Sequence, residues 1–515
     1  MIKIKLKNNI KNMNKLKGKR ILIFQQRGWA INIGHFLAKK LQAEGCRLAA
    51  LTLKRTTHEF ILNQKEVKYD LVINNDEIMS RPKDYLNGEI YSLEEICKEL
   101  GVDSIWPIVA SLRNHVWSYK DKYYYGFKQN VPDEEIIDFV MAVYKYIKVF
   151  FNEFKPDVII APGFVSLPHI MFNLFAKKRG IEMNSIVDSK IRGYNIFSNG
   201  YQNDKGVFYD RVDALNNGSE TKNRNRAKQY IKEFRENFIQ PDYMPSSKIN
   251  NISILKKIKK ELSPYKAILR WYIKGPSKNV LESTGITPDY KPPKYILRDH
   301  YCDKFYRRFM KKFSYYPFEK IEKFVYFPLQ FQPEMTIDVA APFFNNQIET
   351  ARQVAMSLPD DYSLVVKEHP AMLGFRSPSY IKKIDKTPNV KLIDYRISGE
   401  EVLKRADLVI SPNGTTIAEA AFLNKPTIQL GNLGTTLKLP NVFKHTDMTT
   451  LTTKIKEVLK IDLNTAEYER RLENFVAAVY DTGFDFKYET FWAKGRGDNI
   501  ENLWAIYRRE IKNSL

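Results

Sequence analysis

Three cysteines in 515 residues, Cys46, Cys97 and Cys302, are too few and too far apart for a disulfide framework or a thiolate metal site. Their scarcity fits a reducing, cytoplasmic setting. Apolar runs are short as well, none near the roughly 18–20 residues that cross a bilayer. The first twenty residues carry eight basic side chains and no acidic one, yet no apolar segment follows, so residues 1–19 read as a basic tail and not a signal peptide. Also missing are the GxGxxG spacing, a P-loop, a GxSxG elbow and HExxH, which leaves NAD binding, Walker-type nucleotide hydrolysis, serine hydrolysis and zinc proteolysis without support. No helix-turn-helix, RNA-recognition signature or zinc knuckle is visible, so nucleic-acid binding would rest on charge alone. Acidic residues are in deficit, 59 against 82 basic, a net charge of +23. That excess favours anionic partners such as lipid headgroups or phosphorylated sugars, unless it reflects a Lys- and Asn-rich composition.

A hydrophobic share of 43%, with 30 Tyr and 31 Phe, supplies more than one core. Residues 20–205 alternate strand-like and helix-like segments. Strands are expected at 20–25, 47–53, 69–73 and 157–161, with helices at 36–44, 134–154 and 168–179, the last stopped by Gly180. This spacing predicts a doubly wound α/β domain. Residues 206–320 lose the alternation and read as a cationic, aromatic helical linker or insertion. Residues 321–465 resume it, with strands at 324–328, 363–367, 390–392, 408–410 and 427–430 and helices between them. Residues 466–515 read as C-terminal amphipathic helices.

The richest stretch is 365–432. It holds VVKEHP, in which Lys367 precedes His369 at a strand end, and ADLVISPNGTTIAEAAFLNKPTIQLGN. A strand that stops at Ser411, Asn413 and Gly414 and opens a helix at Thr415 and Thr416 offers backbone N–H groups and hydroxyls to phosphate. The alternative is an ordinary capped helix. His369 adds a donor able to stabilise a departing phosphate, unless it only caps its loop. Glu419, one turn into the helix, can accept from ribose hydroxyls or simply suit the helix dipole. After the strand at 324–328, Gln330 is a candidate for sugar or base recognition and Glu334 for proton transfer. The segment 25–35 (QQRGWAINIGH) suits a glycine-bearing turn facing an interdomain cleft. Arg27, Gly28 and His35, together with Gly163 after the strand at 157–161, are candidates for the acceptor side. Residues 251–275 and 304–327 mix Lys and Arg with aromatic and aliphatic residues, as an anionic membrane surface or a solvated face packed on the domains would require.

These motifs resemble those of the GT-B glycosyltransferases, and more closely the bacterial capsule polysaccharide biosynthesis family, which includes retaining Kdo transferases. The resemblance lies in VYFPLQFQPE at 325–334, Gln347, VVKEHP at 365–370, NVKLID at 389–394 and 407–431. It covers about 320–435 well and the first half only by architecture. The His-Pro and Thr-Thr pair is also similar to the bacterial sialyltransferase arrangement for a CMP-sugar phosphate. The resemblance implies two Rossmann-like domains facing a cleft and a nucleotide-sugar donor. It implies donor-phosphate roles for His369, Thr415 and Thr416, a ribose role for Glu419, and no cofactor or metal. The family's acidic residue in an N-terminal glycine-aromatic loop has no counterpart in Ala161-Pro162-Gly163-Phe164. The catalytic carboxylate is therefore expected elsewhere, at Asp188 or Glu334, unless the chemistry differs, and both retention and inversion stay open.

The expectation is thus a cytoplasmic glycosyltransferase, peripheral at the inner face of the cell membrane if its cationic helices lie on lipid. It would transfer a CMP-activated keto-acid sugar to a glycan or lipid-linked acceptor in surface polysaccharide assembly. A nucleotide-sugar 2-epimerase, a CDP-polyol phosphotransferase and a non-catalytic polyanion-binding subunit of an export assembly stay open.

Overall fold

The computed structural model describes residues 16–112, 131–239, 254–274 and 292–515. Residues 1–15 of the expected basic tail lie outside these. Its architecture follows from hydrophobic runs that end in polar turns. β1 (Arg20–Gln26), β2 (Arg47–Leu53), β3 (Leu71–Asn74), β4 (Val158–Ala161), β5 (Glu182–Asp188) and β6 (Tyr194–Ser198) form most of a first sheet. β7 (Phe324–Pro328), β8 (Ser363–Lys367), β9 (Val390–Ile393), β10 (Leu408–Ser411), β11 (Thr427–Gln429) and β12 (Val442–Lys444) form a second. A short β13 (Phe484–Asp485) returns to the edge of the first sheet.

The second sheet runs β9-β8-β7-β10-β11-β12, every pair parallel. The first runs β3-β2-β1-β4-β5 in parallel and closes with antiparallel β6 and β13. β4, β7 and β10 are buried at every position, as strands covered by helices on both faces must be. In each sheet the order in which parallel strands are added reverses between its first and fourth strand, β1 beside β4 and β7 beside β10. Ligands of such sheets bind outside the carboxyl ends of the strands at that reversal. Two doubly wound sheets form the expected α/β, GT-B-like scaffold.

Two helical segments are tied closely into the fold. Val207–Asn216 and Arg224–Asn237, at the start of the expected helical linker or insertion, pack against the second domain. Their Phe208, Val212, Ile231 and Phe234 share one core with Phe324 and Ile417 of the second domain and with Leu472 and Phe475 of the long helix Ala466–Thr482. After that helix the chain crosses back. Tyr488–Lys494 and Ile500–Asn513 pack on β1 and the helix after it, and Trp29 Nε1 donates to Tyr488 Oη at 2.6 Å.

The expected glycine turn at 25–35 is helical instead. Arg27–Trp29, a wider π-turn at Ala30–Gly34 and His35–Ala43 follow one another directly. A side chain at Gly34 would collide with Gln25 and Trp29, and Gly28 sits against the carbonyl of Trp492. Both glycines therefore serve packing of this helix.

The domains touch where Gly434 N donates to Gln202 O at 2.9 Å and where Val339 enters the first domain's core.

Candidate functional site

Three strand ends build the site: β7, β8 and β10, neighbours at the reversal of the second sheet. β8 runs into Glu368 and His369. Glu368 is fully buried and paired with Arg376, itself fully buried; the Glu368 carboxylate also accepts from His369 N at 2.6 Å. Arg376 Nη2 donates to Gln330 O at 2.5 Å, so one guanidinium ties the ends of β7 and β8 together.

His369 Nδ1 accepts from Ala371 N at 3.2 Å. With that nitrogen used as an acceptor, a neutral ring carries its proton on Nε2. Burial, together with the charges of Arg376 and Lys367, pushes the imidazole down to about 4. The ring is thus a neutral Nε2–H donor at physiological pH, and Phe331 flanks it with a centroid distance of 6.1 Å.

At β10 the chain turns through Gly414, whose φ of +127° and ψ of 172° belong to glycine alone. A side chain there would also collide with Gln330 Oε1. Helix Thr415–Phe422 begins at once, and no side chain caps its first turn. Its leading N–H groups point out of the sheet edge without intrahelical partners, carrying the positive end of the helix dipole. Neighbouring strands lie about 4.8 Å apart, so His369 and this terminus flank a gap of about 10 Å across β7.

Glu419 lies one turn further on, lining a cleft of about 280 Å3 that both domains form. Asp188, Lys190, Tyr230, Thr415 and Lys487 line it too. Burial raises the Glu419 carboxyl to about 7, against the pull of Lys367 and Lys190. Asp188 accepts from Lys190 twice, from the backbone N at 3.1 Å and from Nζ at 2.6 Å. Lys190 holds a left-handed backbone, φ +70°, and so delivers an ammonium to the cleft.

The structure thus brings together Asp188, Thr415 and Glu419 in one cleft, with His369, Gly414 and Thr416 at the adjoining sheet edge. Other candidates are used up inside the fold. Asn413 is fully buried, donating to Thr336 O at 2.6 Å and accepting from Gln429 Nε2 at 2.9 Å. Ser411 Oγ donates to Asn413 O at 2.7 Å and accepts from Gln330 Nε2 at 3.1 Å. The polar atoms of these two side chains are engaged within the fold and shape the loop. Gln330 and Lys367 are buried supports, the Lys367 ammonium donating to Ile397 O at 3.0 Å. Burial lowers its proton affinity while Glu419 raises it.

Glu334 is exposed, accepts from Thr336 Oγ1 at 2.7 Å and does not line the cleft. The acceptor-side set does not converge either. His35 Nε2 pairs with Glu66 at 2.8 Å on the outer helix, and Gly28 packs against Trp492. Arg27 is exposed at the end of β1, and a side chain at Gly163 would make only an ordinary contact with Val165. A more open hollow of about 460 Å3 lies at the end of β3 instead, carrying His58, Asn74, Glu77, Arg81 and Asp84.

Arg376 and Lys190 were not legible as site residues. Arg376 sits in a Gly-Phe-Arg-Ser-Pro stretch that reads as surface loop, and Lys190 belongs to a turn between strands of low hydrophobicity. Among the described residues no cluster of His, Cys, Asp and Glu could hold a metal ion.

No protein-family model matches the chain, and no curated protein does. Solved structures do. The beta Kdo 2,7 transferase of Thermosulfurimonas dismutans KpsC is 12% identical, over 72% of this chain and 89% of that one, with a TM-score of 0.35. The UDP-GlcNAc 2-epimerase of Methanocaldococcus jannaschii is 11% identical over 90% and 98%, with a TM-score of 0.23. That of Neisseria meningitidis, bound to UDP-GlcNAc, is 11% identical over 89% and 94%, with a TM-score of 0.22. These proteins are enzymes on GT-B-like scaffolds.

Proposed function

We propose that this chain is a metal-independent glycosyltransferase that takes its sugar from a nucleotide donor, CMP-activated keto-acid sugars such as Kdo being the favoured class. One observation carries the reading. A neutral imidazole with its Nε2–H free to donate stands opposite an uncapped helix N-terminus at the reversal of a parallel sheet. Both are donors, both are fixed by buried contacts, and neither needs to reorganise when a phosphate arrives.

In this reading the donor phosphate bridges His369 Nε2–H and the N–H groups of Thr415 and Thr416, with the Thr hydroxyls as further donors. Cleavage of the glycosidic C–O bond leaves charge on the phosphate oxygen, where these donors stabilise it without taking a proton from solvent. Glu419 faces the ribose, and Asp188 is the carboxylate placed to act on the acceptor hydroxyl. The glycan or lipid-linked acceptor enters from the first domain, where the hollow at β3 offers His58 and Arg81. The product belongs to surface polysaccharide.

Titration of CMP, CDP, UDP and GDP by calorimetry tests this. Selective CMP binding supports the reading. A UDP preference moves it to a hexosamine transferase, and binding of none of them overturns it. A second reading, a nucleotide-sugar 2-epimerase, is favoured by the pairing of Asp188 and Glu419 in one cleft, since epimerisation needs an acid and a base around the sugar. Conversion of UDP-GlcNAc with no acceptor present would establish it.

A further inference from the structure

The helices Ile254–Lys274 and Pro293–Lys312 stand apart from both sheets in one respect: their outer surface is greasy. Ile258, Leu262, Tyr265, Leu269 and Tyr272 recur at intervals of four and three, a single stripe along the first helix. All are exposed, from 48% at Tyr265 to 68% at Tyr272. Pro264, Ile268 and Trp271, on another stripe, are buried or half-buried. The second helix packs antiparallel to the first, with Lys304 on Glu261 at 2.5 Å and Tyr265 Oη to Tyr301 Oη at 3.0 Å. Tyr301 and Phe305, 56% and 61% exposed, extend the stripe into a two-helix apolar face.

Cations border this face. Lys259, Lys266 and Arg270 each follow a stripe residue by one position, which places them about 100° round the helix. The two helices hold fourteen Lys and Arg against three Asp and Glu, a net charge of +11 out of the chain's +23. A second copy of the same face would set +11 against +11, so self-association through it is opposed by repulsion. An apolar strip with a basic border fits the interface of an anionic bilayer, where aliphatic tips enter the acyl boundary and Lys stems reach to the headgroups.

We infer that these two helices are a docking surface for an anionic lipid bilayer. The surface is coupled to the site described above. A side chain at Gly374, five residues beyond His369, would run into Asp303 and Arg307 of the second helix. Met310 is buried in the second domain's core. Docking on these helices therefore holds the His369 edge beside the membrane, where a lipid-linked acceptor is anchored. Among the described residues no helix is long and apolar enough to cross, so the contact lies in the interface plane.

Co-sedimentation of the full chain with phosphatidylcholine vesicles, with and without phosphatidylserine, tests this. Binding is expected only with phosphatidylserine, falling about tenfold or more at high salt. The exposed double substitution Leu262→Asp/Leu269→Asp should weaken it about a hundredfold or more, with the thermal midpoint unchanged. Lys259→Glu/Lys266→Glu/Arg270→Glu should abolish it at low salt. No binding by the wild-type chain overturns the inference, and so does binding that survives the double substitution. A concentration-dependent dimer that this substitution dissolves would identify a second copy as the occupant and overturn it as well. Because CMP binding is measured separately, failure here leaves the donor-site reading standing.

Discussion

Glu419→Gln isolates the most perturbed carboxyl of the cleft. Burial raises that group to about 7 from a usual 4.5. Between those values the folded chain holds a proton that the unfolded chain has released, so stability falls as pH rises through the window. At 1.36 kcal/mol per pKa unit the full effect is about 3 kcal/mol by pH 8. Water entering the cleft beside a half-buried side chain reduces it, to about 1–3 kcal/mol in practice. Gln keeps the shape and cannot ionise. The variant should match the wild type near pH 4, pull ahead of it progressively between pH 4.5 and 7, and keep a constant lead above that. Thermal midpoints of both chains from pH 4 to pH 8 report the gap directly. Parallel profiles, with a constant offset or none, would refute the claim that this carboxyl titrates in the folded cleft. The same logic applies to ligand: an anionic nucleotide should bind the wild type less well as pH rises through 7, and the variant should lose that slope.

Gly414→Ala forces a side chain into a backbone region reserved for glycine and onto Gln330 Oε1. A loss of about 2–4 kcal/mol of stability is expected, with nucleotide binding abolished; an unchanged thermal midpoint would contradict the loop geometry. Arg376→Met leaves Glu368 buried and unpaired, a cost of about 3–5 kcal/mol, whereas Arg376→Met/Glu368→Leu should recover much of it. A full cost in the double variant would show that the pair does not act as a unit. Asp188→Asn should reduce turnover far more than Glu334→Gln, because only Asp188 lines the cleft with Thr415 and Glu419; the reverse order would move the base to the other loop.

Much of the second domain was legible because its signals are local. β7, β8 and β10 are unbroken hydrophobic runs that stop at polar motifs, and buried parallel strands are read from such runs. The glycine turn at Gly414 is readable from the residue types at a strand end, and its φ agrees. Other features depend on partners distant in sequence. β5 escaped notice since Asn184 and Ser185 interrupt it, and both are fully buried. Asn184 Nδ2 donates to Ser514 Oγ at 2.9 Å, 330 residues away. The return of residues 484–513 to the first sheet has no local mark, because an amphipathic helix does not announce which core it covers. Ser411 and Asn413 carry ligand-type chemistry, yet their neighbours consume it: side chains near a phosphate loop build the loop as often as they touch the phosphate. Arg376 shows the converse, an apparent surface arginine that ties two strand ends together.

The central claim is that His369 Nε2–H and the helix terminus at Thr415 hold a donor phosphate. It is tested most directly by comparing cytidine with CMP as ligands of wild type and His369→Ala. The account predicts that the wild type prefers CMP, that His369→Ala weakens CMP by about 1.5–3 kcal/mol, the range for a hydrogen bond to a charged group, and that cytidine affinity stays where it was. Equal losses for cytidine and CMP, or no loss for either, would show that the imidazole does not meet the phosphate and would contradict the account.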